Sequence, residues 1–95
     1  MGGDATIEVE GLDKFLLATD EDAFDAFTKA ATRRDEYGVA ELVLRGKLFT
    51  VPTGTRVRVI DMGGFLGSRL QVRVMEGAQV GRSGWIATEF VKALP

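Results

Sequence analysis

The order of apolar and polar positions divides the chain into a first part with helical periodicity and a second part that alternates. Residues 20–34 begin with an acidic run and continue with apolar side chains three or four positions apart, which is typical of one apolar helical face. An acidic first turn and basic last turns complement the helix dipole. We therefore predict a helix from Asp20 to Arg34. Its apolar face consists of Ala23, Phe24, Phe27, Ala30 and Ala31.

The next segment, residues 35–45, fits two kinds of element. Its acidic start and Gly46 at its end are signals of a capped helix. Its valines and leucines also favour a strand. The capping signals at both ends favour the helix. The residues that would then share one face are Tyr37, Ala40, Val43 and Leu44.

Two short segments precede the first helix. Ala5 to Val9 alternates and predicts a strand, with Gly11 as its break. Lys14 to Ala18 is apolar and fits either a strand or a loop, and both interpretations stay open.

From Lys47 onwards the hydrophobic period is two. Alternating segments at 47–51, 55–61 and 69–75 are followed by short ones at 85–87 and 90–91, and glycine-containing turns separate most of them. Short strands at close spacing predict a small antiparallel barrel, whose closure removes exposed strand edges. We predict one α+β domain, residues 1–95. Residues 1–46 form a strand and helical segment, and residues 47–95 form a five-stranded barrel. One or two helices of the first segment pack on this barrel.

The second part resembles bacterial Src-homology-3 domains. The resemblance is carried by 54–59 (Gly-Thr-Arg-Val-Arg-Val), 72–77 (Val-Arg-Val-Met-Glu-Gly), 81–86 (Gly-Arg-Ser-Gly-Trp-Ile) and Phe90-Val91. The helix together with residues 35–42 and 46–49 is similar to the region before such barrels in small bacterial proteins. The resemblance implies a binding module for a cell-wall fragment, a peptide or a protein, and it allows export.

The peptide groove of the eukaryotic relatives is matched only in part. Phe90 stands where they keep an aromatic groove residue, but Ala87 replaces their groove proline. The strand that carries their groove tryptophan reads Arg69-Leu70-Gln71-Val72 here. The resemblance therefore does not imply recognition of proline-rich peptides.

The amino-acid composition limits which catalytic and metal-binding groups the chain can provide. The chain has no cysteine and no histidine, which excludes disulfides, thiolate nucleophiles, cysteine metal sites and the commonest general base. The acidic cluster of residues 20–25 is explained by helix capping and does not have the spacing of a calcium loop. We therefore predict no enzyme, no metal and no cofactor. No apolar run approaches the ~20 residues of a membrane span, and the sequence leaves the compartment open.

Charge is distributed unevenly between the two parts. Residues 1–45 carry 5 basic and 11 acidic side chains, a net charge of −6, and residues 46–95 carry 7 and 3, a net charge of +4. An arginine stripe on the alternating strands could bind an anion or a nucleic acid, although an ordinary solvated face is the favoured interpretation. A pI near 5.1 makes nucleic acid an unfavoured partner. The stripe comprises Arg56, Arg58, Arg69 and Arg73.

Aromatic and exposed apolar residues are the candidates for a ligand surface. Trp85 is either a contact residue or a ring packed under the first helix, and the short chain favours packing. Phe65 and Leu66 lie in a glycine-rich loop, either as a tip for a partner or as a lid on the barrel. With these, the predicted surface of a binding module comprises Tyr37, Phe65, Leu66, Trp85 and Phe90. A homo-oligomer built through exposed apolar residues is the remaining alternative.

Overall fold

The computed structural model describes residues 3–94, which fold into two α-helices and seven β-strands. The strands are β1 (Asp4–Ile7), β2 (Lys14–Ala18), β3 (Leu48–Pro52), β4 (Arg56–Gly63), β5 (Arg69–Val74), β6 (Ser83–Ala87) and β7 (Val91–Ala93). The helices are α1 (Glu21–Thr32) and α2 (Glu36–Leu44). Two 3₁₀ turns, Phe65–Gly67 and Thr88–Phe90, precede β5 and β7.

All seven strands form one antiparallel sheet in the order β3-β2-β6-β5-β4-β1-β7. Across residues 3–94 this sheet is open, with β3 and β7 at its edges. The α+β class is confirmed, but the prediction of a five-stranded barrel is wrong.

The physical reason is that strands from the first part of the chain occupy positions between and beside those of the second part. β2 pairs with β3 on one side and with β6 on the other, and β1 lies between β4 and β7. Four strands of the second part, β3, β4, β6 and β7, therefore each pair with β1 or β2, where a closed barrel would pair them with one another.

Both helices begin at an aspartate. The Asp20 carboxylate accepts a hydrogen bond from the Ala23 N–H at 2.7 Å, and that of Asp35 accepts one from the Gly38 N–H at 2.9 Å. Beyond α2, Gly46 has φ +72°, the left-handed conformation that follows many helices. The predicted helices are confirmed, including the helical interpretation of residues 35–45. Neither has the length and apolar character needed to cross a membrane.

The main core lies on the inner face of the sheet. One cluster joins apolar side chains from β1 to β6, so the sheet curves around it. Its buried members are Ala5, Ile7, Val9, Leu17, Phe49, Val51, Val57, Leu70, Val72, Val74 and Ile86.

A second cluster lies on the other face of the sheet, beneath the helices. Its buried members are Ala18, Ala23, Leu48 and Trp85, and partly buried apolar residues of β2, α1 and α2 pack against them. The register pairs Ala18 with Trp85, which places both on the face that α1 covers.

Candidate functional site

Four phenylalanines surround a cavity of about 280 Å³ between α1 and the sheet. Phe15 comes from β2, Phe24 and Phe27 from α1, and Phe90 from the 3₁₀ turn before β7. The centroid of the Phe15 ring is 5.0 Å from that of Phe90 and 6.1 Å from that of Phe27. These separations are those of interacting aromatic pairs, so the rings support one another. We call this cavity the aromatic pocket. Its other lining residues are Leu16, Thr28, Ala31, Ile86, Ala87 and Glu89.

Small side chains keep the aromatic pocket open. Ala31 is exposed on α1, and Ala87 is half-buried at the end of β6. Because both residues line the pocket, a larger side chain at either position could take up part of its space. The rings themselves are only partly buried, so an apolar group that entered the pocket would remove further apolar surface from water.

A second cavity, of about 640 Å³, adjoins the aromatic pocket and is acidic. Glu8, Glu10 and Glu89 line it, with Lys92 as its basic residue. We call it the acidic cleft; its remaining lining residues are Val9, Gly11, Leu12, Thr53 and Phe90. It shares Glu89 and Phe90 with the aromatic pocket, so the two cavities meet at the 3₁₀ turn Thr88–Phe90.

Hydrogen bonds hold the walls of the acidic cleft. The Glu8 N–H donates to the Phe90 carbonyl at 2.8 Å, which attaches the segment after β1 to the 3₁₀ turn. The Thr53 hydroxyl and N–H donate to the carbonyls of Leu12 and Asp13, each at 2.8 Å. Residues 3–94 contain no group of three or more acidic side chains placed to hold a metal ion. The carboxylates of the acidic cleft therefore surround a space and do not converge on a point.

Of the five residues predicted as a ligand surface, Phe90 lines the aromatic pocket. Trp85 is 7% exposed and packs beneath α1 with Ala18, Ala23 and Leu48, as the favoured interpretation expects. Tyr37 is 91% exposed at the start of α2. The prediction therefore joined one pocket residue, one core residue and exposed residues of other elements.

Phe65 and Leu66 are on the surface, 84% and 89% exposed, in the 3₁₀ turn between β4 and β5. Leu66 has φ 56° and ψ 33°, a left-handed conformation that is costly for a branched side chain. The hydroxyl of Thr88 donates to the Gly67 carbonyl, and its N–H donates to that of Ser68. The exposed turn is thus fastened to the turn that carries Glu89 and Phe90, and it does not cover the sheet as a lid.

The arginine stripe is interrupted by acidic residues of the first part of the chain. The Arg58 Nε lies 3.0 Å from the Asp4 carboxylate on the neighbouring β1. Arg69 is largely buried, with its Nη1 3.0 Å from the Asp25 carboxylate and its guanidinium 4.9 Å from the centre of the Phe24 ring. Arg56 and Arg73 remain exposed. Two of the four arginines thus have acidic partners, and Arg69 serves to dock α1 on the sheet.

Sequence reasoning missed part of this site. Periodicity predicts Phe24 and Phe27 on the core-facing side of the first helix, and Phe15 lies in a segment whose sequence fits either a strand or a loop. Glu8 and Glu10 were not singled out, although they alternate with the buried Ile7 and Val9. That alternation is the signal that places both carboxylates on the surface.

Comparisons of this chain with protein-family models, with curated proteins and with solved structures gave no match. The resemblance to Src-homology-3 domains stays a prediction.

Proposed function

We propose that the chain is a non-catalytic binding module whose ligand is a peptide segment with a bulky apolar side chain next to a basic side chain. The observation that carries this proposal is the meeting of the aromatic pocket and the acidic cleft at Glu89 and Phe90. An apolar group in the first cavity would stand beside a cation in the second.

The aromatic pocket would supply most of the affinity. Its volume of about 280 Å³ lies just below the ~300–1,000 Å³ of ordinary small-molecule sites. It is therefore suited to one or two side chains and not to a whole organic cofactor. Complete burial of a leucine or phenylalanine side chain is worth about 1.5–3 kcal/mol. With Thr28 and Glu89 as its polar lining, the pocket suits an apolar side chain better than a sugar, which needs several hydrogen bonds.

The acidic cleft would supply orientation and selectivity. Three carboxylates against the ammonium of Lys92 make the cleft net negative, so an adjacent lysine or arginine of the ligand is attracted and an acidic residue is repelled. Exposed ion pairs contribute only about 0–1 kcal/mol each. Together these contributions reach at most about 4 kcal/mol, so the expected affinity is weak, with a Kd on the order of 1 mM or above.

A peptide titration of the ¹⁵N-labelled protein, followed by NMR, tests the proposal. Three short peptides are compared: one with an apolar–basic pair, one in which the apolar residue is alanine, and one in which the basic residue is acidic. We expect the first to bind most tightly and to shift the amides of Phe15, Phe27 and Phe90. Equal binding by all three, or shifts confined to other surfaces, would refute the proposal.

Two variants connect binding to the site without removing core residues. A31L fills the aromatic pocket from its exposed wall and should weaken binding at least tenfold, whereas T32L adds the same side chain at the neighbouring exposed position and should not. E89Q keeps the shape of the side chain but removes its charge, so it should reduce the preference for the basic peptide. E36Q, on α2, is its control. Unaltered binding by A31L would count decisively against the pocket.

A further inference from the structure

Helix α2 carries apolar side chains on two sides. Val39 and Leu42 are partly buried against the cluster beneath the helices. On the opposite side, Tyr37 is 91% exposed, Leu44 is 86% exposed, and Ala40 between them is also exposed. A surface helix ordinarily presents one apolar stripe to the core and polar residues to water. The outward side of α2 is therefore a second apolar stripe, and nothing from residues 3–94 covers it.

We propose that a second copy of this chain covers this outward side, with the two α2 helices packed antiparallel. The proposal is independent of the peptide site, because Tyr37, Ala40 and Leu44 do not line the aromatic pocket or the acidic cleft. The shape and charge of α2 are the reasons for choosing a second copy of the chain as the partner on this surface.

The shape of the stripe is self-complementary. Tyr37 and Leu44 are seven residues apart and therefore lie on the same side of the helix, with the small Ala40 between them. In an antiparallel pair, Leu44 of each copy can enter the gap above the partner's Ala40. This is the ridge-into-groove contact that allows two helices to approach to about 8–10 Å.

The charges beside the stripe select the antiparallel arrangement. Glu41 and Arg45 are one turn apart on the same flank and form an exposed ion pair. Two antiparallel helices related by a twofold axis bring equivalent flanks together in reverse order. Each Arg45 then approaches the partner's Glu41. In a parallel pair this flank would face the opposite flank of the other helix, and these charges would not meet.

The size of the stripe sets the strength of the dimer. A nine-residue helix is about 14 Å long, so two of them bury less than the ~1,200–2,000 Å² of a standard interface. We expect reversible association with a Kd on the order of 10⁻⁴ M.

Sedimentation equilibrium of the intact chain between about 10 μM and 1 mM tests the proposal. Wild type should show a monomer–dimer equilibrium, and L44D should weaken it at least tenfold. The exposure of Leu44 means that this change removes no buried contact, which an unaltered thermal midpoint would verify. F65D is the matched control, because Phe65 is similarly exposed but lies on the turn before β5. The F65D variant should therefore dimerise as strongly as wild type. A monomeric wild type at 1 mM, or equal loss in L44D and F65D, would overturn the proposal.

A charge-reversal mixture tests the antiparallel contact. E41R and R45E should each associate at least threefold more weakly than wild type, because each sets like charges against one another. Mixed in equal amounts, they should recover a heterodimer of at least wild-type strength. The pair D22R and K29E, on exposed positions of α1, makes the same opposite net charges away from α2. Both variants keep the α2 stripe, so each alone and the two mixed should associate as strongly as wild type, with no gain on mixing. Failure of the first mixture to recover, or an equal gain on mixing in the control pair, would contradict the proposed contact.

Discussion

The fragment of residues 47–95 provides the sharpest test of the topology. A barrel contained in that fragment would fold without residues 1–46. In the open sheet, however, β3 pairs with β2 alone, and β6 and β4 each lose a neighbour when the first part is removed. We therefore expect the isolated fragment to be unfolded.

The loss of stability can be worked out from the side chains of residues 1–46 that are buried in the main core. Ile7 and Leu17 are 0% exposed and Val9 is 7% exposed, all within the main core. At about 1.5–3 kcal/mol for each such side chain, the deletion removes roughly 5–9 kcal/mol, before the lost β1 and β2 pairings are considered. A chain of 95 residues has a total stability of about 5–14 kcal/mol. The loss is comparable with the whole stability, and the deletion also exposes Phe49 and Val51.

The assay is a two-dimensional amide NMR spectrum of the fragment beside that of the whole chain, with urea unfolding followed by circular dichroism. We expect poorly dispersed amide signals and no cooperative transition for the fragment. Adding a peptide of residues 1–46 should restore dispersion if β1 and β2 supply the missing contacts. A well-dispersed spectrum of the fragment alone, with a cooperative urea transition, would refute the open-sheet topology.

Two glycine exchanges test local packing. G84A should lower the free energy of unfolding by about 1–3 kcal/mol, because a Cβ there would lie 2.9 Å from the Leu17 Cβ and 3.0 Å from the Phe49 ring. G3A is the control, because its Cβ would meet open space, and it should leave the stability unchanged. Equal denaturation midpoints for the two variants would contradict this packing. L66G should raise the free energy of unfolding by up to about 1 kcal/mol, since glycine adopts φ 56° without strain. L66A, which keeps a Cβ, should raise it far less. Chemical denaturation distinguishes the two variants, and a destabilised L66G would refute strain at this turn.

Much of the local structure was predictable because its causes lie within a few residues of sequence. The carboxylates of Asp20 and Asp35 cap helices whose amides are three positions away, so the start of each helix is marked in the sequence. Alternation likewise separated inward from outward residues in β4 and β5. For the site, the resemblance to Src-homology-3 domains drew attention to Phe90. Helical periodicity placed Phe24 and Phe27 on the apolar face of the first helix but did not indicate a pocket there.

The partners of the strands were not predictable in this way. Alternation states which face a residue occupies but not which strand lies beside it, and the observed pairs join distant positions, such as Ala5 with Val57. A strand that is next in the sequence and has matching alternation would fit the same inward and outward pattern as the distant strand that is observed. Residues 47–95 could therefore be interpreted as a closed unit, although β1 and β2 supply neighbours of their own.

Local sequence signals were enough to identify two capped helices and most of the alternating strands, and they showed which side chains each of these elements can bury. How these elements combine became visible only in the folded chain. The tertiary structure placed Trp85 beneath α1, assembled the aromatic pocket from β2, α1 and the last 3₁₀ turn, and chose which apolar side of α2 faces the core. The physical reason is that capping and periodicity act within a few residues, whereas burial depends on contacts between segments far apart in the chain.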